Sequence, residues 1–319
     1  MGSTTPTEAS LLEKFDESVK AGTVLYTPDL KTIHHDDGGF KFEFRLTAAL
    51  KTKPAAVQDN AELDSRPPTP GNHTAPPKSP QQNAQHLELD EEGRLPGGDI
   101  SIKQFIVQLV NDTHVLAFNK FCVYRPHLLL LAADGHRRQF EALSRDDFAA
   151  ATDVLRGLAG GEQEYFVIFN GGKAGGCSRL HKHMQIMPKP ADVAVWPDDE
   201  NLERAVPYRY FVYRFEDTPG PEELVEEYKR MLKQAAAVVP GREEVVEEDE
   251  DGRGVVVPHN VVLGARWMVV VPRVKAGVDG ADANAAGMLG MVWASGEEVT
   301  SKWFEMGPRW ILGEVGVRK

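Results

Sequence analysis

Tyr165-Phe166-Val167-Ile168-Phe169, Asn170-Gly171-Gly172-Lys173-Ala174-Gly175-Gly176-Cys177-Ser178 and His181-Lys182-His183-Met184-Gln185 follow one another closely, and their order decides how the chain reads. The first segment is a short run of aromatic and branched residues, the pattern of a buried strand. The second is a glycine-rich loop with many backbone N–H donors. In an extended third segment, alternate side chains share a face. His181, His183 and Gln185 then point one way, and Lys182, Met184 and Ile186 the other. Two imidazoles and an amide beside such a loop suit phosphate chemistry: an imidazole can attack phosphorus while the loop holds phosphate oxygens. His-x-His alone would equally fit a metal-ligand pair or two surface residues. Gln is a poor ligand, and no cysteine or carboxylate follows at zinc spacing, so no metal site is predicted.

Outward from this run, the spacing of Leu11, Leu12, Phe15 and Val19 predicts a helix over residues 10–21, capped by Ser10 and ended by Gly22. Phe40, Phe42 and Phe44 alternate with polar residues, a strand signal. Residues 103–133 carry two strand-like segments around Asn119-Lys120. Ser144-Arg145-Asp146-Asp147 reads as a capping box opening a helix with Phe148, Ala151, Leu155 and Leu158 on one face. Pro219-Gly220-Pro221 opens another, with Leu224, Tyr228 and Leu232 along one side. Residues 55–97 are rich in Pro, Gln, Asn and Asp and read as a disordered insertion. Residues 242–251 are mostly acidic and read as a solvated loop. Strands and helices interleave without regular βαβ units, which predicts an α+β fold: an antiparallel sheet with flanking helices.

The 319 residues suffice for a substantial core, and 41% hydrophobic content is ordinary for a globular chain. No apolar run is long enough for a bilayer, the N-terminus lacks signal-peptide features, and two cysteines imply no disulfide framework. The expected location is cytoplasmic, with the nucleus as a second compartment. A net charge of -12 argues against nucleic-acid and anionic-membrane partners. An anionic substrate would therefore need a local positive patch, for which Lys53, Lys120, Lys173 and Arg179 are candidates.

The series Asn170, Gly176, Ser178, His181, His183 and Gln185 resembles the histidine-triad superfamily in its transferase branch, and most closely the fungal-type diadenosine tetraphosphate phosphorylases, also called ATP adenylyltransferases. Phe118-Asn119-Lys120-Phe121 with His127-Leu128-Leu129-Leu130-Leu131 is similar to a second family stretch. Asn260 to Arg273 and Asn284-Ala285-Ala286-Gly287-Met288-Leu289-Gly290-Met291 are similar to two more. The match spans roughly residues 8–54 and 98–315. Cys122 stands where the family has proline, and Ser295 where it often has a substrate-binding lysine.

The resemblance implies a histidine-triad-like nucleotidyltransferase fold and cleavage of diadenosine tetraphosphate with inorganic phosphate to ATP and ADP. His183 would be the nucleophile, Gln185 would hold an oxygen of the nucleotidyl-histidine, and His181 would orient His183 or pack beneath it. Lys53, Asn119, Lys120, Asn170, Gly176, Cys177, Ser178, Arg179, Gln185, Asn284, Ala285, Ala286 and Met291 would contact substrate. No tightly bound cofactor is implied; Mg2+ would accompany the nucleotide. The expected ligands are diadenosine polyphosphates, ATP, ADP and phosphate. The expected division is residues 1–54 as the N-terminal part of the catalytic domain, 55–97 as the insertion, 98–200 as the core, and 201–319 as the part completing the site. An adenosine phosphosulfate adenylyltransferase, a hexose-1-phosphate uridylyltransferase and a silent nucleotide sensor remain as alternatives.

Overall fold

The structure, a computed structural model, describes residues 5–56, 87–191, 193–241 and 257–319. In chain order its elements are α1 (Glu8–Lys20), β1 (Lys31–Asp37), β2 (Phe40–Leu46), β3 (Ile106–Val110), β4 (His114–Phe118), β5 (Leu128–Ala132), α2 (Arg145–Leu158), β6 (Tyr165–Gly171) and β7 (His183–Pro188). Then come α3 (Glu200–Glu203), β8 (Phe211–Arg214), α4 (Pro221–Val238), β9 (His259–Leu263), β10 (Trp267–Pro272), β11 (Gly277–Val278), β12 (Ala281–Asp282), α5 (Ala285–Met288), β13 (Met291–Ala294), α6 (Glu297–Met306) and α7 (Pro308–Val315).

The main sheet has the order β3-β4-β5-β7-β6-β9-β10-β8. Every neighbouring pair in it is antiparallel. The expected α+β class with an antiparallel sheet is what forms. Strand β7, which carries His183 and Gln185, is central, between β5 and β6. A smaller sheet, β1-β2-β13, joins the N-terminal and C-terminal parts of the chain, with β13 parallel to β2.

Period-two alternation sorts the main sheet's two faces. Val167, Phe169, Met184 and Ile186 pack with Leu11 and Phe15 of α1, Phe148 and Val154 of α2, and Leu224, Tyr228 and Leu232 of α4. Phe166, Ile168 and Met187 belong to a second core with Phe40, Phe42, Phe44, Ala286 and Met291. His183 and Gln185 have the parity of Met187, so they face away from the three helices.

The helices form for the reasons their sequences give. Asp147 and Ser144 make the expected reciprocal capping box on α2. Thr7, rather than Ser10, caps α1, because the helix begins one turn earlier, at Glu8. That start lets the buried Glu8 carboxylate accept from Tyr165 Oη at 2.8 Å and from the Glu162 amide at 2.6 Å.

The expected insertion at 55–97 runs too far at its C-terminal end. Residues 87–97 are ordered: Asp90 accepts from the Arg94 amide, and Leu95, only 3% exposed, belongs to the helix-side core. Composition hid this because only three leucines, Leu87, Leu89 and Leu95, hold an otherwise polar segment to the core. Residues 57–86, including both proline clusters, and residues 242–256, including the acidic run, lie outside the described residues. Among the described residues no helix is long and apolar enough to cross a membrane.

Candidate active site

His183 opens β7, and its ring is fixed by its own strand. Nδ1 lies 2.8 Å from the carbonyl oxygen of His181. A carbonyl can only accept, so Nδ1 carries the proton and Nε2 presents a lone pair. Burial first, and then the charges of His181 and Lys53, push the imidazole pKa down to about 4, against the opposing pull of the carbonyl and of Asp99. The ring is therefore neutral at cellular pH and is 8% exposed. A neutral imidazole with one fixed tautomer and one available nitrogen is a nucleophile ready for use.

His181 shares the expected side of the sheet but is closed off. Its Nε2 donates to the Ala132 carbonyl at 2.8 Å, and its backbone N–H donates to Asp99 at 2.9 Å. Its Nδ1 has no partner among the described residues and abuts Gly98, where a Cβ would come within 2.8 Å. The ring is structural. What orients His183 is the main-chain oxygen of His181.

Gln185 is held by His127, whose Nε2 lies 2.8 Å from Gln185 Oε1. The amide oxygen takes that hydrogen, so the amide N–H2 is left to donate elsewhere. His127 is fully buried, and burial pushes its pKa down to about 4, so it too stays neutral. Its ring packs edge-on against Trp293, with centroids 5.3 Å apart.

The glycine-rich loop is tied at both ends. Asn170 Oδ1 accepts from Asn260 Nδ2 at 3.1 Å and from the Ala285 amide at 2.8 Å. Asn260 also donates to the Gly175 carbonyl at 2.7 Å. A Cβ on Gly175 would collide with the Gly171 carbonyl oxygen, and Gly176 adopts φ +86° within 2.9 Å (from its would-be Cβ) of the Ala283 carbonyl. Only glycine fits both positions. Arg273 is buried and makes no ion pair among the described residues; its Nη2 donates to the carbonyls of Ala283 at 2.8 Å and Lys275 at 2.9 Å, and burial pushes its pKa down to about 9 against the opposing pull of Tyr208 and Asp282. It thereby sets the 275–283 segment against the loop.

Between these walls is a cavity of about 270 Å3, whose polar lining includes Lys53, Lys173, Ser178, Asn284 and one carboxylate, Asp282, and whose apolar side includes Val292 and Trp293. His183 and Gln185 do not line it. Lys53 links the two places, since its charge reaches both His127 and His183. Lys53 counts as exposed, yet desolvation and then the charge of Arg179 lower its ammonium pKa. Arg179 does not line the cavity; its guanidinium grips the carbonyls of Ala55 at 2.9 Å and Pro54 at 3.2 Å, which places Lys53. This is the local positive patch that an acidic chain needs.

Several expected contacts fall elsewhere. Asn119 accepts from the Phe121 amide at 3.0 Å and sits 3.4 Å from His127, so it shapes the turn behind Gln185. Lys120 is exposed over the Phe121 ring and lines no part of the cavity. Ala285, Ala286 and Met291 are core residues; Ala285 acts through its amide, and Asn284 caps α5 by accepting from the Gly287 amide at 3.0 Å.

Two family descriptions match the chain in tandem: "Ap4A phosphorylase N-terminal domain" over residues 80–199 and "ATP adenylyltransferase C-terminal domain" over residues 204–318. The chain belongs to the Ap4A phosphorylase family. Family members similar to it include the Saccharomyces cerevisiae proteins Protein APA1, 28% identical over 68% of this chain and 75% of that protein, and diadenosine 5',5'''-P1,P4-tetraphosphate phosphorylase 2, 27% identical over 57% and 62%. The crystal structure of yeast Ap4A phosphorylase Apa2 superposes with a TM-score of 0.69, covering 98% of this chain and 97% of that one at 19% identity, so the two share the fold.

Four residues that shape this site were not among the expected contacts: His127, Arg273, Trp293 and Gln139, whose side-chain amide bonds the main chain of His183 and Asn170. His127 and Arg273 lie in stretches quoted for the resemblance, so the signal was a polar residue at the edge of an apolar run. Gln139 lies in a polar segment with no pattern at all.

Proposed function

We propose that the protein cleaves diadenosine tetraphosphate with inorganic phosphate, giving ATP and ADP. The observation that carries this is the fixed, neutral His183 imidazole, with Nδ1–H on a carbonyl and Nε2 available. Nε2 attacks the α-phosphorus of one adenylyl end. The P–O bond to the β-phosphate breaks, and ATP leaves with the electron pair. No proton need leave the ring: the adenylyl-imidazole is a cation, and the His181 carbonyl faces its Nδ1–H. A phosphate oxygen then attacks the same phosphorus, the N–P bond breaks, and ADP departs as the imidazole returns to neutral. Splitting the transfer in two is what a nucleophile contributes.

Lys53, the loop amides and the Gln185 amide would balance charge on the phosphoryl oxygens. Gln185 cannot titrate, so it offers water no acid or base, and phosphate rather than water is the acceptor. Mg2+ enters with the nucleotide. The partners are free nucleotides rather than nucleic acid or a membrane, and the compartment is the cytoplasm, with the nucleus as a second location. A silent sensor would have no use for a tautomer-locked imidazole.

The test is to incubate the protein with labelled diadenosine tetraphosphate without phosphate, digest it, and map the acid-labile adduct. It should lie on His183, be absent in His183→Ala, and persist at lower yield in His181→Ala. An adduct on His181, or full turnover in His183→Ala, would overturn the assignment. Rapid AMP release in phosphate-free buffer would overturn the choice of acceptor.

A further inference from the structure

Strands β6 and β7 separate where the chemistry begins. Their ladder pairs Tyr165 with Pro188 through Ile168 with Gln185, and stops there. Continued two more steps, the same register would set Asn170 opposite His183. Instead, the Gln139 side chain occupies that gap. Its Oε1 accepts from the His183 amide at 2.8 Å, while its Nε2 donates to the His183 carbonyl at 2.9 Å and to the Asn170 carbonyl at 3.2 Å. Its main chain extends the same bridge. The Gln139 amide donates to the Leu180 carbonyl at 2.9 Å, and the Gly172 amide donates to the Gln139 carbonyl at 3.1 Å. Gln139 is 1% exposed, so water does not compete for these bonds.

We propose that Gln139 is a positioning residue: its amide replaces the missing rung between Asn170 and His183 and sets the distance from the nucleophile to the phosphate-holding loop. A direct ladder there would draw Gly171, the last residue of β6, against β7 and close the space above His183. A gap without the amide would leave three buried backbone groups unpaired and the two walls free to shift. Gln is the side chain that donates and accepts at that reach; a carboxylate only accepts. The proposal rests on the phosphorolysis reading, because the rate it governs is the transfer of adenylyl to His183.

The experiment compares wild type with Gln139→Met, which keeps the volume and loses the bonds, and Gln139→Glu, which keeps the acceptor and loses the donor. Adenylylation of His183 is followed in single turnovers with diadenosine tetraphosphate, without phosphate. A misplacement of about 1 Å can cost on the order of 100-fold, so both variants should lose about 10- to 100-fold in rate constant. Substrate affinity should stay within about threefold, because the cavity walls are untouched. Thr152→Ala is the control: it removes a buried hydroxyl bond to the Phe148 carbonyl at 2.8 Å within α2 and should lower the melting temperature without slowing adenylylation. A folded Gln139→Met protein with wild-type adenylylation, or an equal slowing in Thr152→Ala, would overturn the proposal. A measurement on wild type stands beside these should the variants not fold. The His183 amide, though beyond the β6 ladder, should exchange with deuterium as slowly as the core of β7, and loop-like exchange would sink the clamp. If wild type forms no adduct at all, the functional reading fails, and that outcome is separate from the others.

Discussion

Replacing His127 with Phe isolates one bond in the site. The ring shape and its packing against Trp293 and Tyr124 are kept, and the donor to Gln185 Oε1 at 2.8 Å is lost. A buried hydrogen bond contributes about 1 kcal/mol net, and an acceptor left unpaired adds about as much again, so the cost is about 1–2 kcal/mol. If that energy holds the Gln185 amide toward the phosphoryl oxygens, kcat falls roughly 5- to 30-fold. Removing the amide itself, in Gln185→Ala, removes a charge-stabilising donor and should cost about 100- to 1,000-fold. The decisive protein is the double variant. If His127 acts only through Gln185, His127→Phe in the Gln185→Ala background costs nothing further. Steady-state phosphorolysis by the four proteins at saturating substrate supplies the cycle. Wild-type kcat in His127→Phe, or the same loss in both backgrounds, would refute the reasoning. Stability should hardly change, because the substitution also removes the buried His127 Nδ1, which has no partner among the described residues.

Burial pushes His127, His183 and His259 each down to about 4, below an unfolded value of about 6.5. Between those values the unfolded chain binds more protons, so urea-melt stability should fall as pH drops from about 6.5 toward 4, while adenylylation stays flat above about pH 5.5. A rate limb near 6.5 would contradict the neutral nucleophile. Lys182 Nζ, buried on the helix side of the main sheet, donates to Asp147 of α2 at 2.7 Å. Lys182→Met should cost about 3–5 kcal/mol, and adding Asp147→Asn should recover much of it, as read from the urea midpoint at constant m. Exchanging residues 57–86 for a short Gly/Ser linker should leave turnover unchanged. Carrying the exchange on to residue 97 should lower the melting temperature, because it deletes the buried Leu95.

What was legible in the sequence was what repeats or alternates. The β6-loop-β7 order, the opposed faces of Lys182 and His183, and the capping box of α2 are local patterns, and they formed as read. Sheet order was not legible, because β6 pairs with β9 across the chain and no local signal records that. His181 was read by parity alone. Parity gave its side of the sheet but not the segment at Gly98 and Asp99 that covers it. The same limit applies to Ala285, Ala286 and Met291: they lie beside the loop in space, but as backbone and core. Gln139 reaches the carbonyls of Asn170 and His183, and Arg273 Nε reaches that of Val315, all remote in sequence, and a polar side chain does not say what it will reach.

The tie from Asn170 to Asn260 and Ala285 has a consequence during synthesis. Those partners follow Asn170 by 90 and 115 residues. On the ribosome, β7 and its histidines emerge long before the groups that brace the glycine-rich loop. The nascent chain therefore exposes the His183 strand while the glycine-rich loop is not yet braced, and while the β6 edge waits for β9. Competence to bind nucleotide arrives only when the last third of the polypeptide has been made, so a chain truncated before residue 260 would be inert and prone to association rather than a partly active enzyme.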